Sequence, residues 1–329
     1  MARIAGTLFD AARRDTEGLM LRAILTLAAT AAITLVLIPL QWVSVAWKLP
    51  SRRSIPVLYH RMLCALIGIR VHQVGARARG HPLLIVANHG SWLDIPVITA
   101  AAPVVFVAKR EVASWPLFGL LAKLQRSVFV DRERRQGTAE VNAQIARRLA
   151  EGDPVVLFGE GTSSDGNRVL PFRSALIGAA RDALAAAEHS GLILIQPLSI
   201  AYARLHGLPM GRLHRPVAAW YGDMALTPHL IRVLREGAFD IVVTWGEPVV
   251  FEAQTDRKNL AKSLESTVRR LTAAALRDAR PQATAGGFFL AKKPVREAPD
   301  RDQGMTQAAE TAEMRREPER PGPTSTRAA

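Results

Sequence analysis

A short polar run, Asn88-His89-Gly90-Ser91-Trp92-Leu93-Asp94, follows directly on the apolar stretch Leu83 to Ala87. Gly90 permits a tight strand-to-helix bend, and Ser91 is of a type that caps a helix, here one starting near Trp92 with Asp94 in its first turn. On such a turn the Asp94 carboxylate can accept a hydrogen bond from one nitrogen of the His89 imidazole and leave the other basic. That is a general base with its orienting partner. It would take the proton of a bound hydroxyl near neutral pH and make that hydroxyl the nucleophile toward an acyl group, with no serine or cysteine nucleophile. Taken alone, a His and an Asp at this spacing read more readily as a hydrogen-bonded histidine beside a helix cap.

Two later loops change the weighting. After Val128 to Val130 comes Asp131-Arg132-Glu133-Arg134-Arg135, where Arg132 can present its planar fork to a phosphate. After Val155 to Phe158 comes Gly159-Glu160-Gly161-Thr162-Ser163-Ser164-Asp165-Gly166, whose glycines let the backbone approach a ligand while Thr162 and Ser163 supply hydroxyls. Other candidates are weaker. Lys109, Arg110 and Glu111 read equally as a solvated turn, and His206, His214 and His229 have no carboxylate at matching spacing. The Gly-x-Ser-x-Gly elbow of serine hydrolases is absent.

The elements that must position these residues are apolar runs rich in Val, Ile and Leu: Leu83 to Ala87, Val104 to Val107, Val128 to Val130, Val155 to Phe158, Leu192 to Ile195 and Ile241 to Thr244. Helical periodicity over Thr138 to Glu151 and Ala175 to His189 separates several of them. The alternation predicts an α/β domain over 51–280 with helices flanking a mostly parallel sheet, its site in the loops after the strands.

The ends are different. Ala23 to Trp47 holds no charged residue and predicts a transmembrane or deeply inserted anchor helix within 1–50, closed by Trp42 and Trp47. Basic residues on its two sides balance, so flanking charge does not orient it. Residues 281–329 hold almost no large apolar residue after Leu290 and predict a disordered tail. The chain of 329 residues carries a net charge of +14, and the tail holds eight basic against seven acidic residues, so the basicity belongs to the folded part. Hydrophobic residues at 49% exclude wholesale disorder. Basic residues scattered among these motifs, with aromatics at 6%, argue against nucleic-acid binding. The single cysteine, Cys64, excludes internal disulfides and thiolate metal clusters, and reads as a small packed apolar residue.

In order and spacing, Asn88-His89-Gly90-Ser91-Trp92-Leu93-Asp94, Val128-Phe129-Val130-Asp131-Arg132, Phe158-Gly159-Glu160-Gly161-Thr162 and Ile195-Gln196-Pro197-Leu198 resemble the four motif blocks of the glycerolipid acyltransferases. The resemblance is greatest to the bacterial 1-acyl-glycerol-3-phosphate (lysophosphatidic acid) acyltransferases and covers about Ile55 to Val250. It implies His89 as general base and Asp94 as its orienter. It further implies Arg132, Glu160, Gly161 and Thr162 as groups that bind or position the acceptor, and Pro197 as shaping the acyl-donor side. The implied reaction moves an acyl chain from acyl-CoA or acyl carrier protein to the free hydroxyl of 1-acyl-glycerol-3-phosphate, giving phosphatidic acid, with no cofactor and no metal. The implied partners are membrane lipids, a lysophospholipid acceptor and the thioester donor, at the inner membrane with the catalytic domain on the cytoplasmic side.

Two positions depart from the family pattern. Gly159 stands where a proline is usual, and Ser163 where an arginine is usual. The lost arginine removes a phosphate contact that Arg168 or Arg173 would have to restore. It therefore motivates an alternative acceptor without a phosphate, lyso-ornithine lipid. A non-catalytic membrane scaffold is the alternative of another class, and it would leave His89 and Asp94 replaceable.

Overall fold

The apolar runs are strands, and their continuous rather than alternating hydrophobicity has a simple cause: helices cover the sheet on both faces. The structure, a computed structural model, describes residues 2–130, 138–174, 192–252 and 254–278. Within them the chain runs α1 (Ala2–Ala46), α2 (Ser51–Ile67), β1 (Ile69–Val74), β2 (Leu83–Ala87), α3 (Asp94–Ala101), β3 (Val105–Lys109), α4 (Phe118–Leu124), β4 (Val128–Val130), α5 (Thr138–Ala150) and β5 (Val155–Phe158). It continues through β6 (Ile193–Leu205), β7 (Leu208–Pro209), α6 (Leu226–Glu236), β8 (Phe239–Trp245), β9 (Val249–Phe251) and α7 (Arg257–Arg277). Arg132, the helix expected over 175–189 and the tail expected over 281–329 lie outside the described residues.

The described strands form one sheet in the order β1-β8-β6-β2-β5-β3-β4, with β7 and β9 also paired to β6. Strands β6, β2, β5, β3 and β4 run parallel, whereas β8 is antiparallel to β6 and carries β1 parallel to itself. The sheet is mostly parallel, as expected. On one face Cys64 and Ile67 of α2, Val97 and Ile98 of α3, and Val233 and Leu234 of α6 pack with Ile85, Phe158 and Ile241. On the other, Ile145 and Leu149 of α5 and Leu264 and Val268 of α7 pack with Val86, Leu157 and Ile195.

β6 is far longer than the four residues expected, because Gln196 and Pro197 disguise its middle. A proline inside a central strand normally forfeits a ladder bond. Here it sits where β6 changes partner, from β9 over Ile193–Ile195 to β8 from Leu198 onward. The Pro197 carbonyl still accepts from the Gly246 amide at 2.9 Å.

α1 sorts its residues in the opposite sense to a water-exposed helix. Thr26, Thr34, Gln41 and Ser44, at helical spacing, are buried against the domain, while Leu21, Ile24, Leu25, Leu27, Leu35 and Val36 point outward, Leu35 being 74% exposed. The segment Glu17–Ala46 is long and apolar enough to cross a membrane, with mean hydropathy 2.3. Small and polar residues inward with aliphatic residues outward is the pattern of a helix packed on protein and facing lipid. Pro39 does not interrupt it.

Hydrogen bonds fasten α1 along its length. The Arg22 guanidinium donates to the carbonyls of Ile67 (2.8 Å), Leu234 (3.1 Å) and Arg235 (2.9 Å), capping the carboxyl ends of α2 and α6 together. Gly237, at φ +57°, leaves room for that fork. At the other end Gln41 Nε2 donates to the Arg52 and Leu124 carbonyls, and Ser44 pairs with Ser51 at 2.9 Å. The contacts from Arg22 to Ser44 span about 33 Å of helix.

Candidate active site

β2 lies between β5 and β6, so the loops leaving the carboxyl ends of β2 and β5 adjoin, and β6 runs beside them. Asn88 prolongs the pairing with β6 by side chain: its Nδ2 donates to the Ile200 carbonyl (2.9 Å) and its Oδ1 accepts the Ile200 amide (2.8 Å). This pins the chain where it turns toward His89.

Helix α3 begins at Asp94 rather than near Trp92, and Ser91 does not cap it. The carboxylate reaches back instead. Asp94 Oδ2 accepts from the amides of Gly90 (2.8 Å) and Ser91 (3.1 Å) and from His89 Nδ1 (2.8 Å). Asp94 Oδ1 accepts from the Tyr202 hydroxyl at 2.5 Å. Four donors on a fully buried side chain are what an ionised carboxylate needs there. The imidazole stacks on Phe158, with ring centroids 3.9 Å apart and planes 17° apart, and stays 20% exposed. An imidazole that donates from Nδ1 presents its Nε2 lone pair outward. The structure thus brings His89 and Asp94 together in the geometry of a base and its orienter.

The β5 loop supports this turn from below. The Gly159 amide donates to the Ala87 carbonyl (2.9 Å), Ser164 N to the His89 carbonyl (2.8 Å), and the His89 amide to Glu160 Oε1 (3.2 Å). Glu160 is only 2% exposed. Burial pushes its carboxyl up to about 8, against the His89 and Leu170 amides that favour the anion and with the nearby Asp94 and Glu265 charges that disfavour it. At neutral pH it is mostly a neutral acid, and its carboxyl holds the His89 backbone. Gly161, at φ +70°, turns the chain outward, and Thr162 is exposed at the rim. The departure at Gly159 has a local cause: a Cβ there would lie 2.7 Å from the Phe172 ring.

Pro197 is not brought beside His89 and Asp94. It is buried in β6 opposite Val86, and Ser199, two residues on, faces α7 through a 2.7 Å bond to Thr272. Alternation puts Pro197 on that same face, away from the face that packs Tyr202 and Phe158. Arg168 and Arg173 are exposed at the edge of the β5 loop, and Lys109, Arg110 and Glu111 are exposed where β3 ends. Cys64 is buried in α2 with its thiol pushed up to about 12, so it supplies no thiolate.

Three partners of the site were not legible from local sequence: Tyr202, Trp220 and His229. The Trp220 amide donates to the Gly90 carbonyl at 2.9 Å. Trp92 Nε1 donates to His229 Nδ1 at 3.0 Å, and burial holds that imidazole below its usual range and neutral, as an acceptor must be. These contacts tie the turn to α6 and the segment before it.

A layered α/β domain with an oriented imidazole at the carboxyl edge of its sheet, carried on a helix whose aliphatic face is bare, defines a class of enzyme that works on amphiphiles. Comparison with known proteins narrows that class. Residues 68–201 match the family described as Acyltransferase. The chain is 49% identical over 258 residues to the lyso-ornithine lipid O-acyltransferase of Brucella abortus, covering 78% of this chain and 96% of that protein. It is 47% identical over 254 residues to the Rhizobium meliloti protein of the same name, covering 77% and 87%. It is 32% identical over 224 residues to the 1-acyl-sn-glycerol-3-phosphate acyltransferase of Neisseria gonorrhoeae, covering 67% and 81%. The crystal structure of the 1-acyl-sn-glycerophosphate (LPA) acyltransferase of Thermotoga maritima shares the fold, with a TM-score of 0.53 at 20% identity over 77% of this chain and 96% of that one. This chain belongs to the acyltransferase family and acts on a lysophospholipid-like acceptor.

Proposed function

We propose that this chain transfers an acyl group from a thioester to the free hydroxyl of lyso-ornithine lipid. The observation that carries the reading is the pair of relatives at 49% and 47% identity, named for that activity and matched over 96% and 87% of their own lengths. The phosphate-bearing acceptor expected from the motif blocks thereby yields to the alternative. Ser163, in place of an arginine that would contact phosphate, supports the same choice. A lysophosphatidic acid acceptor is the second reading, favoured by the Neisseria relative at 32%.

In this mechanism His89 Nε2 takes the proton of the acceptor hydroxyl while Asp94 holds the imidazole and stabilises the imidazolium. The hydroxyl oxygen attacks the thioester carbonyl, the tetrahedral intermediate collapses with cleavage of the carbon–sulfur bond, and the imidazolium returns its proton to the departing thiolate. Backbone amides of the β5 loop are the nearest candidates for stabilising the oxyanion. The donor is acyl-CoA or acyl carrier protein, which puts the domain on the cytoplasmic side of the inner membrane, with its basic surface toward an anionic leaflet. A scaffold would have no use for an imidazole oriented by a buried carboxylate with its second nitrogen left open.

Purified protein given lyso-ornithine lipid or lysophosphatidic acid, with either donor, tests the reading. Turnover of lyso-ornithine lipid, lost on His89→Ala with unfolding temperature and vesicle binding retained, is the expected result. Turnover of lysophosphatidic acid alone would transfer the assignment to the second reading, and near-normal turnover by His89→Ala would end both.

A further inference from the structure

The catalytic turn has one support that comes from far along the chain. Tyr202 lies in β6, 108 residues from Asp94, and is buried. Its hydroxyl supplies the hydrogen bond described for Asp94 Oδ1, whereas Oδ2 collects the His89, Gly90 and Ser91 donors. The tyrosine ring rests on Gly90: a Cβ at that position would meet Tyr202 Cε2 at 3.3 Å. Just beyond, the register of β6 against β8 shifts between Tyr202 and Arg204, a bulge of the kind that re-aims a side chain beside a site.

We infer that Tyr202 is a positioning residue for acyl transfer, holding the second oxygen of Asp94 so that the carboxylate stays fixed and charged behind His89. The inference rests on the proposed role of His89 as base. Tyr202 is fitted to donate and not to ionise, since burial and the Asp94 charge hold its phenol well above the usual tyrosine range. The groups facing the pair are few. His89 and Ser91 come from the β2–α3 turn, the Ser91 hydroxyl lying beside that of Tyr202, with Glu160 from the β5 loop and Cys64 from α2, while Glu265 of α7 acts on Glu160. Glu160 and Cys64 are both shifted toward their neutral forms, and the hydrogen bond that Asp94 Oδ1 receives comes from Tyr202.

Removing the hydroxyl leaves a buried carboxylate oxygen without its donor, and the carboxylate then draws harder on the His89 proton. The acid limb of the pH profile of kcat/KM, which reports loss of that proton, should move to higher pH. With partial transmission of the lost hydrogen bond, Tyr202→Phe should lower kcat about tenfold and raise the limb by about half a pH unit or more, with KM little changed. Replacing Tyr202 with 3-fluorotyrosine, a stronger donor, should move the limb the other way. The measurement is the pH profile of the purified, vesicle-bound full chain, with thermal unfolding recorded beside it. A limb that stays in place in both variants overturns the inference whatever happens to kcat, because a packing role would lower activity without changing the proton affinity of the base. If Tyr202→Phe does not fold, the fluorotyrosine protein alone decides between the two. Activity surviving His89→Ala would instead mark failure of the underlying mechanism.

Discussion

Asp94→Asn separates the charge of the carboxylate from its shape. The structure lets asparagine fit: with its carbonyl oxygen in the place of Oδ2 it still accepts from His89 Nδ1, Gly90 N and Ser91 N, and its amide then faces a Tyr202 hydroxyl able to turn and accept. The imidazole keeps its tautomer and its stacking on Phe158. Lost is the attraction between the carboxylate and the imidazolium formed in the transition state. For unit charges about 4 Å apart at an effective dielectric near 20 this is about 4 kcal/mol, or about three decades of rate. Stability should change little, because a neutral side chain in the same cage gives up a charge that was costly to bury. The assay is single-turnover acyl transfer to lyso-ornithine lipid, with differential scanning calorimetry alongside. A fall in kcat smaller than tenfold with unfolding unchanged would refute the reasoning, since the charge would then contribute nothing to the barrier.

Three further outcomes follow from other parts of the molecule. Glu160→Gln should keep most activity, because a neutral carbonyl still accepts the His89 amide. The raised carboxyl stabilises the fold below its unfolded pKa and loses that contribution as pH climbs toward about 8, so the variant should unfold at a higher temperature than the wild type above pH 8. A strong loss of activity would instead return Glu160 to the role of an anionic acceptor ligand. Gly159→Pro, which restores the usual family residue, should cost about 2 kcal/mol or more through collision with Phe172 and loss of the amide bond to Ala87, read as a lowered midpoint in urea. Deleting residues 2–46 should yield an aggregating or unfolded product, because it strips the caps from α2 and α6; a monomeric domain with native unfolding temperature would contradict this.

What the sequence displayed depended on burial. Strands β2 and β5 were legible to the residue because both faces are covered and nothing polar interrupts them, and the edge strand β4 because its three residues are all apolar. β1 was not, since polar Arg70, His72 and Gln73 interrupt the apolar residues of Ile69–Val74. The 13 residues of β6 were hidden by Gln196, whose amide serves the Ala76 and Gly246 carbonyls, and by a proline tolerated only at a change of partner. His89 and Asp94 were legible because the chain itself brings them together within one turn. Tyr202, Trp220 and His229 were not, because their contacts depend on how β6 and α6 return to the site, and no local pattern encodes that. Glu160 was visible as a residue but not as a buried neutral acid, which only the depth of the loop reveals.

The cap made by Arg22 also orders events in time. Two of the carbonyls it holds belong to residues 212 and 213 positions downstream. The ribosome releases α1 long before those acceptors exist, so until then its guanidinium is served by water. Only when α6 has been made can the domain close onto it. The catalytic domain therefore reaches its finished packing only after most of the chain has been made, so its closure is a late and long-range event.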